Sequence, residues 1–167
     1  APAMMPMALN IVTAADATIS PGILAGTSLG ISVASAGDVN GDGFEDLIVG
    51  ASTYSSGHNS EGAALIYHGS ALGLSNGSPD TANTLIQSNQ IAALLGGSVA
   101  SAGDVNGDGY GDVIIGSSRY DLLEIDEGAA FVFLSNSDRG RVVRPRQLRA
   151  VGSGTPIQPG GLSYDDD

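Results

Sequence analysis

Residues 32–43 read SVASAGDVNGDG, and residues 98–109 read SVASAGDVNGDG again, without one change. The pattern Asp-x-Asn-x-Asp-Gly-x-x-Asp runs through both copies. The first holds Asp38, Asn40, Asp42, Gly43 and Asp46, and the second Asp104, Asn106, Asp108, Gly109 and Asp112. Carboxylate and amide oxygens on alternate residues of a tight turn are what a short loop needs to wrap a hard cation. Calcium takes roughly six to eight oxygens at about 2.3–2.6 Å. The Asp and Asn side chains, a backbone carbonyl from Phe44 or Tyr110, and water would supply them. Gly43 and Gly109 fall where such a turn needs a residue without Cβ. The expectation is two calcium sites.

Two rival readings use the same residues. Plain Asn-Gly and Asp-Gly turns between strands account for Asn40-Gly41 and Asp42-Gly43, but not for a further carboxylate at Asp46 and again at Asp112. An EF-hand needs Glu at the twelfth loop position, where Val49 and Ile115 stand here. Leu47-Ile48-Val49-Gly50 and Val113-Ile114-Ile115-Gly116 are short apolar runs rich in β-branched residues and closed by Gly. They predict buried strands, which puts each loop between strands.

The duplication extends beyond the loops. At the same offset of 66 residues, Leu29-Gly30 matches Leu95-Gly96 and Tyr54 matches Tyr120. Glu61-Gly62-Ala63-Ala64 matches Glu127-Gly128-Ala129-Ala130, and Leu65-Ile66-Tyr67 matches Phe131-Val132-Phe133. One offset holding across separate stretches marks a duplicated unit. Each unit reads as strand (32–37), loop (38–46), strand (46–51), variable polar loop and strand (62–68). A weaker strand follows at about 82–88, with a counterpart near 145–151. Four short strands per repeat describe one propeller blade.

These units resemble the FG-GAP repeats of integrin α-subunit β-propellers. The Phe-Gly of that family stands here as Leu29-Gly30 and Leu95-Gly96, and its Gly-Ala-Pro as Gly50-Ala51-Ser52 and Gly116-Ser117-Ser118. The calcium loop is complete in both copies, and the resemblance covers about residues 28–135. It implies an all-β fold of two four-stranded propeller-type blades braced by Ca²⁺, with ligands at Asp38, Asn40, Asp42, Phe44 and Asp46, and at Asp104, Asn106, Asp108, Tyr110 and Asp112. The expected division is an N-terminal segment at 1–27, able to complete a neighbouring blade, then repeats at 28–93 and 94–151 and an acidic tail at 152–167.

Composition narrows the partners. The chain has 167 residues, no Cys and no Lys, and a net charge of −12. Nucleic acid and anionic membrane are disfavoured by that charge, and two bound Ca²⁺ would bring it to −8. Without Cys there is no disulfide and no thiolate site. No apolar run reaches the roughly 18 residues of a membrane span. Ala1-Pro2-Ala3 fits either a mature end after leader removal or an arbitrary boundary. Low-affinity calcium loops fill outside the cell, where calcium is abundant, so an extracellular or cell-surface location is expected.

Two blades leave sheet edges and faces uncovered. Self-association into a ring or filament, or continuation by other blades of a longer chain, is therefore expected, with a protein or glycan ligand on the variable loops. Arg139, Arg141, Arg144, Arg146 and Arg149 cluster near the C-terminus. They read either as a charged edge strand or as a docking patch for an acidic surface. His58 and His68 are isolated and read as surface residues, while Glu61 and Glu127, equivalent in the two units, read as architecture and not as an acid/base pair. No nucleophile elbow or phosphate loop is present, so the chain reads as a non-enzymatic, calcium-binding adhesion or assembly protein. The alternatives are a dockerin-like calcium-dependent module, whose loops precede helices, and an accessory domain of a secreted hydrolase.

Overall fold

The computed structural model describes residues 14–136. Strands β1 (Leu29–Gly37), β2 (Asp46–Ala51), β3 (Ala63–Tyr67) and β4 (Thr84–Gln87) form one sheet in that order. Strands β5 (Leu95–Gly103), β6 (Asp112–Ser117) and β7 (Ala129–Phe133) form a second. Every pairing is antiparallel. The only helical element among the described residues is a 3-10 turn at Pro79–Thr81. The expected fourth strand of the second unit and the arginine cluster lie outside the described residues.

The two sheets repeat each other bond for bond. Val49 faces Leu65 and Ile48 faces Ile66 in the first, as Ile115 faces Phe131 and Ile114 faces Val132 in the second. The first strand of each unit is bulged twice, between Leu29 and Ser32 and between Ser35 and Gly37, then between Leu95 and Ser98 and between Ser101 and Gly103. Gly30, Gly37, Gly96 and Gly103 hold φ of +84°, +77°, +84° and +74° at these bulges. An L side chain is strained there, which is why the unit opens on Leu-Gly.

At β2 and β3 both faces of the first sheet are covered, which accounts for their continuous apolar runs. Ile48, Ala64, Ile66 and Ile86 point to one side and meet Leu95, Val113, Ile115, Phe131 and Phe133 of the second sheet. Val49, Leu65 and Tyr67 point the other way, onto Ile19, Leu24 and Leu74. Alternation along a strand sends neighbours to opposite faces, so β2 and β3 carry apolar residues on both faces.

Beside this apolar packing, the backbones of the two sheets also meet directly. A Cβ on Gly50 would collide with the Gly96 carbonyl, and one on Gly96 with the Ala63 carbonyl. The Ser32 hydroxyl donates to the same Gly96 carbonyl at 2.8 Å. On the far side, residues 14–28 lie against the first unit. Ile19 makes an isolated parallel bridge to Gly77, closed by Ser20 N–H to Gly77 O (2.9 Å) and Gly77 N–H to Thr18 O (3.0 Å). Of the segment expected to complete a neighbouring blade, the described part contacts its own unit.

Candidate metal loops

The loops joining β1 to β2 and β5 to β6 carry the same internal hydrogen bonds. Asp38 gathers the turn around its carboxylate. Its Oδ1 accepts the N–H of Gly41 (2.7 Å) and Asp42 (3.0 Å), and its Oδ2 that of Gly43 (2.8 Å). Asp104 does the same with Gly107 (2.7 Å), Asp108 (3.0 Å) and Gly109 (2.8 Å). The Asn40 Oδ1 accepts the Asp42 N–H at 2.9 Å, and its amide donates to Asp42 Oδ2 at 2.9 Å. Asn106 and Asp108 repeat both bonds at 3.2 and 2.8 Å. The N–H groups of Phe44 and Tyr110 donate to Asp42 and Asp108, each at 3.0 Å. Three backbone N–H groups converging on one carboxylate need a tightly wound turn. Gly41 and Gly43 provide it with φ of +75° and +87°.

The last Asp of each pattern behaves differently from the others. Asp46 is buried, with Oδ2 accepting the Val39 N–H (2.9 Å) and Oδ1 the Gly69 N–H (2.8 Å). Asp112 is buried too, accepting from Val105 (2.8 Å) and Ser135 (2.8 Å). Each therefore ties the start of its loop to the chain just after the third strand of its sheet. Sequence placed these residues in the loop pattern but missed this clamp, because Gly69 and Ser135 stand 23 residues downstream.

Electrostatics follow the burial. Desolvation pushes the Asp46 carboxyl up, against the pull of the Gly69 and Val39 N–H groups and of nearby His68. The exposed Asp104 carboxyl is held down, first by the Gly109 N–H and also by those of Asp108 and Gly107. Among the described residues no three His, Cys, Asp or Glu side chains group closely enough to hold a metal by themselves. The donors that each loop carries are nevertheless all oxygen, and Asp38, Asn40 and Asp42 share one turn at the surface. That chemistry fits a hard divalent cation completed by carbonyl and water, and does not suit a soft one.

Glu61 and Glu127 do for the second loop of each unit what Asp38 and Asp104 do for the first. Glu61 accepts the Ser56 N–H at 2.8 Å and lies 3.3 Å from His58 Nδ1. Glu127 accepts from Leu122 (3.0 Å), Leu123 (2.9 Å) and Glu124 (3.3 Å). Their recurrence in the sequence was the signal for this architectural role. His58 is exposed as expected, whereas His68 is half-buried and its Nε2 has no hydrogen-bond partner.

The sequence matches the FG-GAP repeat family over residues 29–67 and 96–143. Curated relatives include integrin alpha-3 of Mus musculus, 33% identical over 130 residues, which make up 75% of this chain and 11% of that protein. Integrin alpha-PS2 of Drosophila melanogaster is 34% identical over 128 residues, 74% of this chain and 9% of the relative. Integrin alpha pat-2 of Caenorhabditis briggsae is 38% identical over 92 residues, 53% and 7% respectively. The chain thus spans about a tenth of the length of the curated relatives it matches.

Proposed function

This chain belongs to the FG-GAP repeat family, and we propose that it is a calcium-braced, extracellular adhesion or assembly element with no catalytic role. Its repeats at 28–93 and 94–151 act as blades that dock onto further blades, of other copies or of a longer chain. Residues 1–27 and 152–167 flank them. Ca²⁺ is held in the first loop by Asp38, Asn40, Asp42, the Phe44 carbonyl and Asp46, and in the second by Asp104, Asn106, Asp108, the Tyr110 carbonyl and Asp112. Its charge offsets the repulsion among the acids of each turn and fixes the strands on either side. The variable loops are left to contact a protein or glycan.

One observation carries the assembly reading. Positions that the second sheet buries in the first unit stand open in the second unit: Val39 is 4% exposed and its equivalent Val105 56%. Ile48 is fully buried, while its equivalent Ile114 is only partly covered. A blade whose face is apolar and uncovered calls for a neighbour. A dockerin-like module is disfavoured, because β2 and β6, not helices, come after the two loops.

Light scattering of the purified full chain, with Ca²⁺ and then with excess chelator, tests the reading. An assembly that dissociates on chelation is the expected result. A monomer of unchanged size in both conditions would overturn it.

A further inference from the structure

The two loops touch each other. Loop 38–46 lies beside loop 104–112, and the contact is made by Tyr110 and Gly111. The Gly111 N–H donates to the Asp38 carbonyl at 2.7 Å. A Cβ on Gly111 would lie 3.0 Å from both the Ala36 carbonyl oxygen and the Asp38 nitrogen, so the two backbones approach closely here. The Tyr110 ring rests on Gly41, where any Cβ would run into the ring edge. Gly41 in turn donates its N–H to Asp38. One tyrosine therefore belongs to both turns. Its backbone is bound to Asp108 of its own loop, and its ring forms a wall of the preceding one.

The contact has no second instance in the described residues. Phe44, the equivalent of Tyr110, has its Cβ 3.5 Å from where a Cβ on Gly69 would lie, within its own unit. Gly107, the equivalent of Gly41, has open space where its Cβ would be. Val39, next to Asp38, is buried in the core shared with the second sheet.

We propose that Tyr110 couples the two loops, so that a cation held in either one raises the affinity of the other. This rests on the cation reading of the loops. A cation drawing on Asp108 and on the Tyr110 carbonyl fixes the position of the tyrosine. The ring then holds Gly41, and through it the turn that Asp38 gathers, so the first loop needs less ordering when its own cation arrives. Linkage makes the effect reciprocal: loop 38–46 must help loop 104–112 by the same factor.

Calorimetric titration of the full, chelator-stripped chain with Ca²⁺ tests this, with thermal melts confirming that each variant is folded. The wild-type chain should take up two equivalents, the second more tightly than independent loops allow. Asp108→Ala should leave one equivalent, bound about fivefold or more weakly than loop 38–46 binds in the filled wild type. Asp42→Ala should weaken loop 104–112 by the same factor. In a Tyr110→Ala background, which keeps the backbone carbonyl, neither substitution should weaken the remaining loop further, and Tyr110→Phe should restore the coupling. Two equivalents bound independently in the wild type, or a coupling that survives Tyr110→Ala, would overturn the proposal and leave the calcium reading intact. No uptake by the wild-type chain would overturn both.

Discussion

Twelve identical residues in each unit build the same turn with the same bonds, yet the first turn is covered and the second is open. Val39 and Val105 differ in exposure though the residues on either side of them are identical, and Glu61 is fully buried while Glu127 is exposed. The local sequence sets the shape of the turn. Its surroundings are set by the next unit along the chain. Among the described residues only the first unit has another packed on it, which makes the identical repeats energetically unequal there.

Paired substitutions at equivalent positions sharpen that comparison. The largest contrast is expected at Ile48 and Ile114. Ile48→Ala empties a fully buried site between the sheets and should cost about 2–5 kcal/mol in denaturant unfolding. Ile114→Ala removes a partly exposed side chain and should cost roughly 1 kcal/mol or less. Equal losses would show that the second unit's outer face is covered in solution.

Gly50 and Gly116 come next. A methyl on Gly50 meets the fixed Gly96 carbonyl, whereas on Gly116 it meets chiefly the Ser98 hydroxyl, which can rotate away. Gly50→Ala should lower stability by about 1–3 kcal/mol and loosen the joint between sheets, with Gly116→Ala close to neutral. Thermal melts of the two variants decide this, and a Gly50→Ala chain as stable as wild type would contradict a joint made by close backbone approach.

Glu61→Gln and Glu127→Gln probe the second loops. Glu61, itself fully buried, accepts the Ser56 N–H, so its amide variant should cost on the order of 1–2 kcal/mol. Glu127, exposed, should matter less. Similar melting shifts for the two would show that burial does not set the difference.

The smallest effect concerns pH in the presence of chelator. The folded Asp46 carboxyl sits above its ordinary value because it is desolvated, so its charge lowers stability near neutral pH. That cost fades as pH falls through its folded value. Asp104 sits below its ordinary value because it accepts N–H groups. Its contribution is present above the unfolded value and is lost as pH falls through the folded one. Acidification therefore relieves Asp46 first and removes the Asp104 contribution later. Carboxyl-carbon NMR titrations should find Asp46 taking up its proton at higher pH than Asp104, and the reverse order would rule out burial as the dominant influence on Asp46.

Much of this was legible in the residues themselves. The 66-residue offset and the β-branched runs after each loop are local signals, and β1 to β7 follow them. The loop pattern was legible for the same reason: Asp38 and Asp104 organise residues only three to five positions away. Contact at long range escaped. The Asp46 clamp to Gly69, the Tyr110 ring on Gly41 and the Gly50–Gly96 joint each bring together residues that no periodicity relates. They depend on how one sheet lies on the next, and an exact repeat carries no mark of its neighbour.

The Gly50–Gly96 joint has a consequence for how such chains diversify. Two units meet there through atoms that every polypeptide has, a carbonyl and the space left by a missing Cβ. That backbone contact, unlike the apolar packing beside it, depends little on which larger side chains flank it. At that one contact, units bearing the two glycines are interchangeable parts, and only the apolar residues packed between the sheets must be refitted when one is copied or replaced. Specificity can then drift freely in the loops, while the backbone contact between modules stays generic.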